Sequence, residues 1–340
     1  WPSIFYINIP FGILALFLAI KYIPETKNEQ STKLDVLGTI LIFLGLLGIV
    51  YGLITGPEKG WQNSLVTLSI IIGSILTALF VWVEVKSKHP LIPFQIFKSL
   101  TVIGANLITF FLYGALGAMI IFVILNFQQI QHYSELMSGL ALLPAILIIT
   151  FGSGPGGVLA DKFGPRIPLI IGPIIVAVGM ASMAIPGRGA NYFTSFMPGL
   201  ILFGVGMSFV VASVTKSALA VEAKYSGAAS GFNNAVSRLA GLLAVATLGA
   251  LIISLFTMKL HQGLTNSSLS PSEQQQIIVQ QNKLGAIEIP DNFSEGAKTT
   301  SREIIDDSFV LGFRWAIGVC ALLALLSAVI AYFSIKPKGK

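Results

Sequence analysis

The sequence predicts an all-α polytopic membrane protein with about nine transmembrane helices. Two observations carry that expectation. Of the 340 residues, 54% are hydrophobic and only 11% charged, whereas an ordinary soluble domain carries about 25% charged residues. The charge that is present falls mostly at the breaks between apolar runs, and it alternates from break to break.

A hydrocarbon core about 30 Å thick takes about 20 apolar residues per helix. Stretches close to that length run over 3–23, 36–56, 65–85, 101–127, 136–159, 167–186, 194–217, 229–257 and 307–334. In lipid every backbone N–H and C=O must be satisfied within the span, so each is read as a helix. A polar linker, 25–35, follows the first span. The second carries Gly48, Gly52 and Gly56 on one face, a spacing that lets a neighbouring backbone approach closely. Residues 86–100 form a further linker, with Pro90 and Pro93 breaking any continuous helix.

On the fourth span, Asn106, Phe110, Tyr113, Gly117 and Gln128 share one face at 100° per residue. Aromatics interspersed with amides suit an amphipathic or cationic organic ligand, and they suit helix packing within a bundle as well. The fifth span holds Gly152-Ser153-Gly154-Pro155-Gly156-Gly157, which matches the dinucleotide fingerprint letter by letter. No strand precedes it and it lies inside an apolar run, so it reads as a kinked, closely packed helix instead. In the eighth span Asn233, Asn234 and Arg238 are polar residues inside an apolar stretch. Arg238 stands about 14 Å in from Ala229 at 1.5 Å per residue, and is expected to be a buried charge needing a partner from outside this chain.

Segment 258–306 is the one large extramembrane piece. Ser270-Pro271-Ser272-Glu273 predicts a capped helix start, with Ser270 as N-cap, Pro271 at the first helical position and Glu273 completing a capping box. The Gln-rich run 274–282 then reads as a short solvated helix. Cys320 is the single cysteine, so no intrachain disulfide and no thiolate metal cluster can form. His89, His132 and His261 stand far apart in the breaks, without metal-ligand spacing or a nucleophile partner. No enzyme constellation, metal site or cofactor motif emerges.

Lys and Arg set the orientation. Thirteen of them, from Lys21 to Lys340, lie in one set of short segments, against Lys59 and Arg188 on the other side. The C-terminus is therefore expected in the cytoplasm and Trp1 outside. The net charge of +6 is that of cytoplasmic loops and calls for no nucleic acid. A chain that starts outside, without Met or a signal pattern, is expected to continue a longer one.

The densest motif is Gly157-Val158-Leu159-Ala160-Asp161-Lys162-Phe163-Gly164-Pro165-Arg166, across the turn between the fifth and sixth spans. Gly164 permits the turn. Asp161 can face the N–H groups of a helix start, with Lys162 and Arg166 at the lipid interface. On spacing alone, a gating motif and a solvated basic turn are equally good readings. The stretch resembles the G-x-L-a-D-r-x-G-r signature of the major facilitator superfamily. The surrounding order is similar to its fourteen-helix drug/proton antiporters, the EmrB/QacA-like branch. Trp1-Pro2-Ser3-Ile4-Phe5-Tyr6-Ile7-Asn8-Ile9-Pro10 resembles the opening of that branch's sixth helix, with Pro2 and Ser3 in place of Arg and Trp. His89-Pro90-Leu91 with Phe97 looks like its linker. Gln128, Ser134, Gly139 and Pro144 fall in its pattern, with His132 where a Gly is usual. Gly227-Ala228-Ala229-Ser230-Gly231, Asn233, Asn234, Arg238 and Gly241 are similar to its penultimate-helix entry.

The resemblance implies a division of the chain. Residues 1–24 would be the last helix of a missing N-terminal bundle, 25–100 an inserted helix pair, and 101–340 a C-terminal six-helix bundle with the long outer loop 258–306. It implies proton-coupled multidrug efflux by alternating access in a bacterial cytoplasmic membrane. The partners would be small amphipathic or cationic substrates, protons and the missing half. Gly157, Asp161, Lys162, Gly164 and Arg166 would form the gate, and Asn106, Phe110, Tyr113 and Gln128 would line the cavity. Transport of another solute, or a truncated non-transporting membrane piece, are the alternatives. None of the fifteen acids falls near mid-membrane, so a coupling carboxylate is expected outside this chain.

Overall fold

The computed structural model describes residues 6–22, 35–87 and 94–337. Trp1–Phe5, most of the 25–35 linker, the His89-Pro90-Leu91 motif with Pro93, and Lys338 and Lys340 lie outside the described residues. Every regular element described is helical: α1 (Asn8–Tyr22), α2 (Val36–Lys59), α3 (Ser64–Lys86), α4 (Leu100–Gln129), α5 (Glu135–Ala141), α6 (Leu143–Phe163), α7 (Arg166–Met183), α8 (Met197–Ala218), α9 (Ser226–Thr265), α10 (Pro271–Ile278) and α11 (Glu295–Ser334). Among the described residues eight helical stretches are long and apolar enough to cross a membrane, and α1 is a shorter apolar helix that buries none of its residues.

Helices α2 and α3 form a hairpin. Asp35 caps α2 by accepting from the Gly38 amide at 2.7 Å, and Asn63 caps α3 through the Leu65 amide at 3.0 Å. The glycine face of α2 meets α3 as its spacing predicts. A Cβ on Gly48 would lie 2.7 Å from the Ser69 carbonyl, and one on Gly73 only 2.7 Å from the Ile49 amide. The hairpin rests on α9 through α2.

The six-helix unit is built from α4, α6, α7, α8, α9 and α11. Helix α4 is central to one side, packing against α9 and α11; α8 packs against α6 and α7, and α7 against α11. Glycines again set the closest approaches. Gly179 on α7 faces the Gly199 carbonyl of α8, where a Cβ would come within 2.7 Å. The Gly152–Gly157 stretch is helical and packs on α8 beside Ser208 and Ala212, as the small-residue reading requires. The fifth span is broken at Leu142 into α5 and α6, just before Pro144, which has no N–H for the preceding turn.

The last two spans depart most from the hydropathy pattern. Both α9 and α11 run for 40 residues, about 60 Å at 1.5 Å per residue, against a core of about 30 Å. What the sequence suggests is a loop, 258–306, therefore begins and ends as helix. Between the two projecting ends sit α10 and a 3₁₀ turn, Gln281–Ala286. Leu260, Leu264, Leu269, Ile277, Ile287, Phe293 and Ile305 are buried, so this part has an apolar core. The capping box at Ser270 and Glu273 is present, and hydrogen bonds from the Ser270 hydroxyl and amide hold the Glu273 carboxyl below its usual range.

Candidate functional site

Two groups of polar contacts tie the six-helix unit at opposite ends. At the first end, Gly164 closes α6 with φ +84°, a backbone conformation glycine accepts freely. Asp161, in the last turn of α6, accepts from the Lys216 Nζ on α8. Arg166 opens α7 and reaches the end of α11. Its Nη2 donates to the Tyr332 carbonyl at 2.7 Å, and its guanidinium carbon lies 4.9 Å from the Tyr332 ring centre. Lys162 lies over the Phe163 ring at 5.3 Å. The turn is thus fastened to both α8 and α11. Nearby on the chain, Glu222 is held below the usual carboxylate range by a hydrogen bond from Lys224.

The second end holds a different set. Gln131 Nε2 donates to the Gly187 carbonyl at 3.0 Å, and its Oε1 accepts from the Ala190 amide at 3.1 Å. Arg188 pairs with Asp307 at 3.4 Å and Glu303 at 3.8 Å, both on the projecting part of α11. Gln129 accepts from the Gly285 amide at 3.0 Å, and Arg302 donates to the carbonyls of Gly285 and Ile287 at 2.9 Å and 3.0 Å. His132 has φ +56°, the left-handed region that favours glycine. That explains physically why a glycine would suit the position.

The four residues expected to line a cavity are not gathered in one place. Asn106 is buried; its Nδ2 donates to the Val102 carbonyl at 2.8 Å. Asn233 on α9 donates to the Asn106 Oδ1 at 3.1 Å and to the Thr109 hydroxyl at 2.9 Å. Phe110 lines a hollow of about 230 Å³ between α4, α9 and α11. Tyr113 is half-buried against the core. Gln128 lies about 33 Å along the helix from Asn106, in a separate hollow of about 350 Å³ with His132, Glu288 and Arg302.

Within this chain the Arg238 side chain is exposed, as is that of Asn234, while Asn233 is half-buried. Five residues at 100° put Arg238 about 140° round the helix from Asn233. Since Asn233 faces α4, Arg238 faces away from it. Arg238 makes no hydrogen bond or ion pair with the described residues. Asn234 donates to the Ser230 carbonyl on its own helix at 3.2 Å. Among the described residues no three His, Cys, Asp or Glu side chains converge to hold a metal.

Several contacts had no signal in the sequence. Lys216 as partner of Asp161, Tyr332 as partner of Arg166, and the Gln131 brace are all long-range. The only hint was that Lys162, Arg166 and Lys216 fall in breaks of the same side, which agrees with their meeting at one end.

The family model described as Major Facilitator Superfamily matches residues 1–245. The chain is similar to the Multidrug resistance protein Stp of Mycobacterium tuberculosis, 27% identical over 272 residues, 80% of this chain and 50% of that protein. It is also similar to the Tetracenomycin C resistance and export protein of Streptomyces glaucescens, 27% identical over 344 residues, 99% of this chain and 63% of that one. The chain thus spans about half to two thirds of the length of these relatives. Among solved structures, a bacterial homolog to the human lysosomal transporter Spinster, inward-facing and unoccupied, superposes with a TM-score of 0.50. That match covers 89% of this chain and 70% of the other at 14% identity, a likeness of fold.

Proposed function

Because the chain belongs to the major facilitator superfamily, we propose that it is the C-terminal part of a proton-coupled exporter of amphipathic, often cationic, organic molecules. In this reading residues 1–24 end an N-terminal bundle, 25–100 carry an inserted pair, and 101–340 form the second bundle. The two bundles rock about a site between them. The protein lies in the cytoplasmic membrane of a bacterium with its C-terminus inside.

The observation that carries this is the face of α9 bearing Asn234 and Arg238. A charged side chain near the bilayer centre costs about 2.5 kcal/mol or more when it faces lipid. Arg238 is exposed, without an acidic partner among the described residues, well inside an apolar span. A hydrated cavity closed by a second bundle removes that cost. The contacts of Asp161 and Arg166 fit a gate that holds α6, α7, α8 and α11 together at the cytoplasmic end in one state. Tyr113 and Gln128 then contribute at different depths of the pathway, with Asn106 acting through its bond to Asn233, while Phe110 lines the hollow between α4, α9 and α11 on the other side of α9.

The test is efflux of a lipophilic dye cation from cells that lack their main exporters and express the reading frame containing this chain. Export that stops when a protonophore collapses the proton gradient supports the reading. Dye accumulation equal to that of control cells, with the protein present in the membrane, overturns it.

A further inference from the structure

We propose that the end of α11 remote from Tyr332 carries a site for one anionic glycerophospholipid. Its phosphodiester would sit between Lys259 and Arg314, and an acyl chain would lie in the groove over Gly318. This rests on the packing of α9 and α11 and is independent of which solute is transported.

Three adjoining hollows define the site. The first, about 330 Å³, is lined by Arg188, Lys259, Asp307 and Arg314. It shares Arg314 with a second of about 240 Å³, lined by Trp315, Gly318, Val319 and Leu322. That one shares Val319 with the apolar hollow of about 230 Å³ beside Phe110. A charged cleft therefore continues into an oily groove, as a headgroup continues into a tail. A Cβ on Gly318 would meet no atom within 4 Å, so the groove floor is open there.

Depth agrees. Arg314 stands 18 residues before Tyr332 on one continuous helix, about 27 Å at 1.5 Å per residue, close to the thickness of the hydrocarbon core. With Arg166 and Tyr332 at one interface, Arg314 falls at the other, where headgroups lie.

Charge decides which lipid. Arg188 is engaged by Asp307 and Glu303. Arg314 gives a hydrogen bond only to the neutral Ile185 carbonyl, at 2.9 Å, and Lys259 has no hydrogen bond or ion pair with the described residues. Neither Arg314 nor Lys259 has an ion pair with the described residues, and together with Arg188, Asp307 and Glu303 they leave one net positive charge at headgroup depth. A phosphodiester with net negative charge answers it; a zwitterionic headgroup brings its own cation. The run of apolar side chains below selects a lipid over free phosphate.

Trp315, 59% exposed on the groove, reports occupancy. The full protein is placed in phosphatidylcholine vesicles containing brominated-chain phosphatidylglycerol or, separately, brominated phosphatidylcholine. Quenching of Trp315 is taken as the difference from Trp315→Phe. Half-quenching is expected at a several-fold lower mole fraction of phosphatidylglycerol. Each of Lys259→Gln and Arg314→Gln should weaken the preference about fivefold, from about 1 kcal/mol per basic residue at an anionic surface. Gly318→Leu, which fills the groove but keeps both charges, should abolish it. Unchanged Trp315 emission in pure phosphatidylcholine identifies variants that keep the fold. Equal quenching by the two lipids, a preference that survives the double Gln variant, or its reversal by inorganic phosphate alone would each overturn the proposal.

Discussion

Arg166 and Tyr332, 166 residues apart in sequence, close one end of the bundle. The guanidinium donates to the Tyr332 carbonyl at 2.7 Å and rests over the Tyr332 ring. One side chain thereby fixes where α7 begins relative to where α11 ends. Arg166→Ala should lower thermal stability in detergent by about 1–2 kcal/mol, the scale of a charged hydrogen bond plus an exposed ring contact. Tyr332→Phe keeps both the carbonyl and a ring and should be near neutral. Equal losses in the two would contradict this assignment.

The Asp161–Lys216 pair makes a different kind of prediction. Both side chains are well exposed, at 66% and 58%, and exposed pairs are worth about 0–1 kcal/mol. Asp161→Asn should therefore leave stability nearly unchanged. If the pair belongs to a gate, the same change should slow export of every substrate alike. A shift in substrate preference at unchanged rate would place Asp161 at the substrate instead.

Asn233 gives both of its amide hydrogens to α4, one to Asn106 and one to Thr109. Asn233→Ala leaves the buried Asn106 oxygen without that donor and should cost about 1 kcal/mol. Because Asn106→Ala removes the same bond, the double variant should cost much less than the two single changes added together. Additive losses measured by thermal unfolding would mean the two residues act separately.

How much of this was legible follows from distance along the chain. The Ser270 cap, the Gly48 and Gly52 face and the Gly164 turn depend on residues a few positions apart, and each could be read directly. Hydropathy found the spans, yet it stops where the residues turn polar, so it missed that α9 and α11 continue as helices beyond the membrane. It also gives depth without direction. Arg238 was placed well inside the span, but its facing away from Asn233 and α4 depended on the packing of α4 on α9. The Arg166–Tyr332 and Gln131–Gly187 contacts join segments that no local pattern connects.

His132 offers a backbone test. Its φ of +56° suits glycine, and a β-branched side chain there is strained by about 1–2 kcal/mol. His132→Gly should retain full stability, while His132→Val should lower it. Equal melting temperatures for the three proteins would show that the turn does not hold that conformation.

The most direct test of the account is whether the Asn234–Arg238 face of α9 meets water. Cys320 is the single native cysteine and is buried, so Cys320→Ala gives a background for single-cysteine scanning. Asn234→Cys and Arg238→Cys are then exposed to a membrane-impermeant, charged thiol reagent in open membrane sheets. Leu322→Cys, on an exposed apolar face of α11, is the lipid-facing control. A hydrated transport cavity requires both α9 positions to react at least about tenfold faster than the control, because the thiolate forms only where water reaches it. Reaction at both positions as slow as at Leu322→Cys would mean that the face lies in lipid or in packed protein, and would contradict the transport reading.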